Sequence, residues 1–191
     1  MAVELLGAKM IAPYFGTSPY VWAAVLAVTL FGLALGYLVG GKISKKYELK
    51  SKPLSIVLFL SVLVVLIISF LSSHFLALFI QFNFEFGVIF TAFVVLALPL
   101  FLFGTVSPIL IGLLDKMEQK AGKSAGVIYA TSTLGGIICT FLYGFYLIPF
   151  IGVFASAISV SFLLIVATLL SFMLNQTIHN KKRAKTVEKE Y

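Results

Sequence analysis

The segment PLSIVLFLSVLVVLIISFLSS, residues 53–73, decides the class of this protein, because it contains no charged residue from end to end. At 1.5 Å per residue, a helix of this length spans about 30 Å, which is the thickness of the hydrocarbon core of a bilayer. A helix that is apolar on every side is typical of a membrane span. The segment therefore predicts one transmembrane helix.

A second apolar block precedes it. No charged residue lies between Lys9 and Lys42. We place a helix in this block from Ser18 or Pro19 to Gly41. Serine is a favoured N-cap and proline is favoured in the first turn, so the dipeptide marks the start of the helix.

The third block, residues 86–114, is longer than a bilayer requires. Proline lacks a backbone N–H and its ring clashes with the preceding turn. We therefore expect Pro99, and the pair Gly104 and Pro108, to kink this helix or to break it into two pieces.

The fourth block, residues 124–178, is too long for one span, and Pro149 and Gly152 predict a turn in its middle. We therefore predict an all-α, polytopic transmembrane bundle, residues 1–178, followed by a basic tail, residues 179–191. Its five full spans are expected at about 19–41, 53–73, 86–112, 124–148 and 153–174.

The composition agrees with a chain that lies in a lipid bilayer. Hydrophobic residues make up 61% of it and charged residues 11%, whereas soluble domains carry about 25% charged residues. The formal net charge is +7. Because the basic residues lie in short runs between apolar blocks, we expect them to contact lipid headgroups, and we expect no nucleic acid partner.

The distribution of lysine predicts the orientation. The connections 42–52 and 115–123 and the C-terminal tail are rich in lysine, whereas the connections 74–85 and 149–152 contain neither lysine nor arginine. Under the positive-inside rule, five spans then place the C-terminus in the cytoplasm. We therefore predict a multi-pass protein of the plasma membrane with a cytoplasmic C-terminus.

The N-terminal thirteen residues do not fit the five-span pattern. Residues 1–13 are too short to cross a bilayer as a helix, and the predicted orientation places them on the outer side. Glu4 and Lys9 would then lie in or near the outer leaflet. Two interpretations stay open: a half-helix packed against the bundle, or a chain that begins partway through a longer helix.

Two stripes of small residues recur at four-residue intervals. Such stripes let the backbones of neighbouring helices approach closely, so the first interpretation is packing between helices. A dimer interface and the sliding surface of a transporter are the alternatives. The stripes are Gly32, Gly36 and Gly40 in the first span, and Ser132, Gly136, Thr140 and Gly144 in the fourth.

The chain carries few groups that could do chemistry. Ionisable residues at membrane depth are costly and therefore functional candidates, and here they are only Glu4 and Lys9. The two histidines are far apart without a carboxylate cluster, so we expect no metal site. No nucleotide-binding motif and no nucleophile–base arrangement occurs, and we expect no cofactor and no catalytic residue. Cys139, the only cysteine, is expected to be a packing residue.

Four segments carry a resemblance to a known family. They are ELLGAKMIAPYFGTSPYVW (4–22), GLALGYLVGGKI (32–43), GTVSPILIGLL (104–114) and AGKSAGVIYATSTLGGIICTFLYGFYLIPFIG (121–152). In this order they resemble the membrane half of bacterial and archaeal spermidine synthase-like proteins, also described as fused transporter/spermidine synthase proteins. The resemblance covers most of residues 2–152. Members of that family have more hydrophobic sequence before the position of Glu4.

The resemblance implies a partner. Fused members continue into a soluble aminopropyltransferase domain, which holds decarboxylated S-adenosylmethionine on a glycine-rich loop and the polyamine on acidic residues. This chain supplies neither, so we expect no aminopropyl transfer by it alone. The first hypothesis is a membrane domain that anchors a separate aminopropyltransferase-like subunit or passes a polyamine-like cation to it.

Two other hypotheses remain. A stand-alone small transporter or channel subunit for a polyamine-like cation or another metabolite predicts a homo-oligomer, because so few helices enclose little space. A fragment without activity predicts poor folding. In any of the active forms, the side chains expected to meet a ligand are Glu4, Lys9, Tyr129 and Thr133.

Overall fold

The computed structural model of the chain describes residues 1–46, 52–79, 83–118 and 121–187, and their side chains within 1–46, 52–71, 83–115, 122–174 and at 176. Throughout these ranges the elements are helices, and no strand occurs in them. The predicted all-α class is confirmed.

Seven α-helices and two π-helical segments follow one another in this part of the chain. The first π segment joins α4 to α5, and the second joins α6 to α7. The elements are α1 (Ala2–Phe15), α2 (Pro19–Lys46), α3 (Lys52–Phe79), α4 (Phe84–Ala92), the first π segment (Phe93–Ala97), α5 (Leu98–Glu118), α6 (Ala121–Phe141), the second π segment (Leu142–Leu147) and α7 (Ile148–Val187).

Among the described residues, four helical stretches are long and apolar enough to cross a membrane, judged by length and composition: Pro19–Lys46, Lys52–Leu71, Phe84–Asp115 and Gly122–Leu174. They coincide with the four apolar blocks of the sequence and support the predicted class of membrane protein. The number of crossings, five, stays a prediction that depends on how the last and longest stretch is arranged.

That last stretch folds back on itself at Gly152. The backbone there is non-helical, with φ 80° and ψ 170°, a conformation that glycine adopts without steric cost. The hydroxyl of Tyr143 lies 2.8 Å from that of Ser159, although sixteen residues of straight helix would separate them by about 24 Å. The chain therefore reverses direction between these two residues, at the glycine where the sequence predicted a turn.

The long helices alternate in direction. Ser55 near the start of α3 hydrogen-bonds to Ser171 in α7 over 2.9 Å, and Phe70 in α3 stacks edge-on against Phe154 at 5.3 Å. The two helices are therefore antiparallel. The helices α2 and α5 lie on either side of α3 in sequence and run parallel to each other. Gly32 faces Ala97, and Gly40, farther along α2, faces Thr105, farther along the chain.

The helix around Pro99 widens where the sequence predicted a kink or a break. The first π segment ends at Ala97, two residues before Pro99, and α5 continues through Pro108 to Glu118. A π turn moves the carbonyl groups that a proline would otherwise meet, so it accommodates the ring without ending the helix. The second π segment ends at Leu147, two residues before Pro149, in the same relation.

The half-helix α1 is packed inside the bundle. Its residue Ile11 is fully buried, in a cluster with Val25 of α2 and Leu96 of the first π segment. At one end, the ring of Phe15 lies 6.2 Å from that of Phe84 at the start of α4. At the other end, Leu5 meets the second π segment at Gly144. Fourteen helical residues reach about 21 Å, so α1 extends from the Phe84 level partway down the bundle.

Candidate functional site

A cavity of about 510 Å³ lies between α2, α5 and α6, and Met1 and Glu4 of the first turn of α1 also line it. Its apolar lining includes Leu100 and Phe103 of α5, Leu33 of α2 and Ile137 of α6. Seven of its lining residues carry polar side chains. They are Glu4, Tyr37, Ser107, Tyr129, Ser132, Thr133 and Thr140.

Glu4 lies near the middle of the long helices. Its neighbour Gly7 packs against the side chain of Leu96, and Glu4 is one turn farther from the Phe15 end, at about the level of Pro99. That level is close to the midpoint of the Phe84–Asp115 stretch. The sequence alone placed Glu4 in or near the outer leaflet, and the structure places it deeper among these helices.

The carboxylate of Glu4 has one ion-pair partner among the described residues. Its Oε2 atom lies 3.9 Å from the N-terminal amine of Met1, and its side chain is 18% exposed. No lysine, arginine or histidine lines the cavity. The charged groups at the site are therefore this carboxylate and the terminal amine on the same helical turn.

Hydroxyl groups on α6 present acceptors to the cavity. The hydroxyl of Ser132 donates to the carbonyl oxygen of Ile128 at 2.8 Å, and that of Thr140 donates to the carbonyl oxygen of Gly136 at 2.8 Å. A hydroxyl has one proton to donate and two lone pairs to accept. Because these two protons are used within the helix, the hydroxyl oxygens of Ser132 and Thr140 can act as acceptors towards a ligand.

Of the four residues predicted to meet a ligand, three line the cavity and one does not. Glu4, Tyr129 and Thr133 line the same cavity, although Glu4 is far from the other two in sequence. Lys9 is exposed and does not line it. The sequence analysis did not predict that Tyr37 and Ser107 line the cavity. The one feature that could have indicated it is that each has a polar side chain within an otherwise apolar span.

The two small-residue stripes occupy different surroundings. On α2, a Cβ added at Gly36 would lie 2.8 Å from the Cα of Gly104, and one added at Gly40 would lie 2.7 Å from the Cα of Thr105. The glycine stripe of α2 therefore packs against the backbone of α5, and Gly104 is one of the α5 residues that it contacts. The second stripe lies beside the cavity, and an added Cβ at Gly136 would meet Met1 at 3.0 Å.

Cys139 is a half-buried free thiol that packs beside the cluster of Leu6, Tyr143 and Ala157. In the described ranges, no three side chains of the types His, Cys, Asp and Glu come together as a metal-binding group. His74, which the sequence analysis placed in a connection, lies in α3, and its side chain is outside the described ones.

No family model, curated protein or solved structure matches this chain. The resemblance to spermidine synthase-like membrane domains therefore stays a prediction from the sequence. An ammonium group carries N–H donors and a positive charge, and this cavity offers a carboxylate and hydroxyl acceptors without a basic side chain. Apart from the N-terminal amine that pairs with Glu4, the described lining carries no positive charge, and it presents a carboxylate and hydroxyl oxygens to a ligand.

Proposed function

We propose that this chain is a multi-pass protein of the plasma membrane that binds a small organic cation of the polyamine-like class in the Glu4 cavity and carries it through the bilayer. The observation that carries the proposal is the position of the Glu4 carboxylate, which lines a cavity rich in acceptors. A carboxylate at membrane depth is costly, so a functional role is the expected reason for one.

The cavity favours transport of a ligand over a role that is limited to anchoring a soluble subunit. A domain that only anchors a soluble subunit needs hydrophobic spans and no polar interior space. Here Tyr37, Ser107 and Tyr129 place polar groups on three sides of one cavity. We therefore propose that the chain transports a cation, and that the transport pathway lies between α2, α5 and α6.

The proposed orientation gives the pathway a receiving side. With five spans and a cytoplasmic C-terminus, the basic connections face the cytoplasm, where the predicted aminopropyltransferase-like subunit would take up the cation. The resemblance alone supports that partner. Purification of the tagged chain from native membranes in mild detergent tests it, and recovery of the chain without a stoichiometric soluble transferase would remove the partner from the proposal.

Flux into proteoliposomes tests carriage itself. The purified chain should take up radiolabelled spermidine, and Glu4→Gln should abolish uptake because the substitution removes the charge but keeps the shape. Lys9→Gln is the matched control, since Lys9 is an exposed charged residue on the same helix that does not line the cavity. Equal uptake by the wild type and Glu4→Gln would refute the role of the carboxylate.

A further inference from the structure

The Glu4 cavity has an open side between α2 and α6. In the described part of the chain these two helices do not pack along their length, and α6 rests on α5 and on the first turn of α1. The lining residues Tyr37 and Ile137, one on each flank, are 44% and 49% exposed. We call this opening, flanked by Tyr37, Ile137 and Phe141, the lateral mouth.

The surface beyond the lateral mouth is apolar. Leu38 on α2 and Ile138 on α6 lie next to the flanking residues and are 65% and 66% exposed. Both helices belong to stretches that are long and apolar enough to cross a membrane. In a bilayer, the lateral mouth therefore opens into hydrocarbon.

The polarity of the cavity changes from its interior to this mouth. The Glu4 side chain is the more enclosed part of the lining, at 18% exposed. At the mouth, the exposed side chains of Ile137 and Phe141 are hydrocarbon, and Tyr37 adds a ring that carries one hydroxyl. A ligand that satisfies both regions has a cationic head with N–H donors and an apolar tail.

We infer that the ligand of this site is an amphiphilic amine, whose ammonium group pairs with Glu4 while its alkyl tail passes between α2 and α6 into the bilayer. This inference rests on the proposed function, because it uses the same carboxylate, and it narrows the substrate class from polyamine-like cations to alkylated ones. Entry is from the hydrocarbon phase of the membrane.

Photolabelling tests the inference on the full chain in nanodiscs. The probe is dodecylamine with a diazirine near the end of its tail, and mass spectrometry locates the adducts. We expect adducts at the lateral mouth, competition by unlabelled dodecylamine, and no competition by dodecanol, which lacks the charge. Glu4→Gln should remove the adducts at the mouth.

Two tryptophan substitutions distinguish binding at the lateral mouth from labelling of the remaining lipid-facing surface. Ile137→Trp places a larger ring in the opening through which the tail must pass and should lower labelling at the mouth about tenfold, which corresponds to about 1.4 kcal/mol of binding free energy. Ile138→Trp is the matched control, because Ile138 is exposed but does not line the cavity. It should leave labelling unchanged.

A second assay distinguishes failure of this inference from failure of the proposed function. Glu4 should react with dicyclohexylcarbodiimide, and butylamine should protect it in both the wild type and Ile137→Trp. If butylamine protects Glu4 but the dodecylamine probe labels all lipid-facing surfaces alike, the site binds a cation and the amphiphilic class is wrong. If neither amine protects Glu4, both proposals fail.

Discussion

The contact between α2 and α5 provides the sharpest test of the packing. An added Cβ at Gly40 would lie 2.6 Å from the carbonyl oxygen and 2.7 Å from the Cα of Thr105. Both atoms belong to the backbone, so no flexible side chain can move aside. Gly40→Ala therefore requires the two helices to separate.

The size of the effect follows from the distances. Ordinary van der Waals contact begins near 3.4 Å, so the helices must part by about 0.7 Å at this point. A gap of about that size forfeits a quarter to a half of each dispersion contact across it. Overpacking of this kind costs about 1–3 kcal/mol, and we expect Gly40→Ala to destabilise the protein by that amount.

The adjacent glycine is the matched control. Gly41 lies in the same helix, and a Cβ added there would have no neighbour within 4 Å. Because alanine favours a helix over glycine by about 1 kcal/mol, Gly41→Ala should be neutral or stabilising. The measurement is thermal unfolding in detergent, followed by the fluorescence of Trp22, the single tryptophan. Equal melting temperatures for the two variants would refute the close approach of α2 and α5.

Three further predictions concern the reversal in α7 and the carboxylate. Gly152→Ala should destabilise by about 1–2 kcal/mol, because a Cβ at φ 80° clashes with the backbone; an unchanged melting temperature would contradict the left-handed conformation. Tyr143→Phe should cost about 1 kcal/mol by removing the hydrogen bond to Ser159, and the loss should vanish in a Ser159→Ala background, as a double-mutant cycle would show. Glu4→Gln should leave the melting temperature unchanged or raise it, since an ionised carboxylate at membrane depth is costly; a large decrease would mean that Glu4 stabilises the fold.

The helices themselves were predictable, because each is encoded in a contiguous run of residues. The predicted spans 19–41 and 53–73 lie within α2 (Pro19–Lys46) and α3 (Lys52–Phe79). Charges end an apolar block sharply, and Gly152 marks a reversal because its conformation is local. These features depend only on neighbouring residues.

The features that depend on distant residues were not predictable. Both stripes repeat every four residues, yet Gly36 packs against a neighbouring helix and Ser132 lies beside a cavity. A four-residue repeat shows that the residues share one face of a helix, but it does not show what packs against that face. The π turns before Pro99 and Pro149 were also missed. A proline predicts a disturbance of the helix, but its form depends on the packing around it.

The two stripes lie on helices that differ in how tightly they are packed. The backbone contacts of Gly32, Gly36 and Gly40 tie α2 to α5, whereas Ser124 is the one buried residue among the described side chains of α6. Helices with few buried contacts open at the lowest free energy. For the proposed carrier, which must change the width of its cavity to exchange a ligand, we expect the movement in α6, while the backbone contacts of α2 with α5 stay in place.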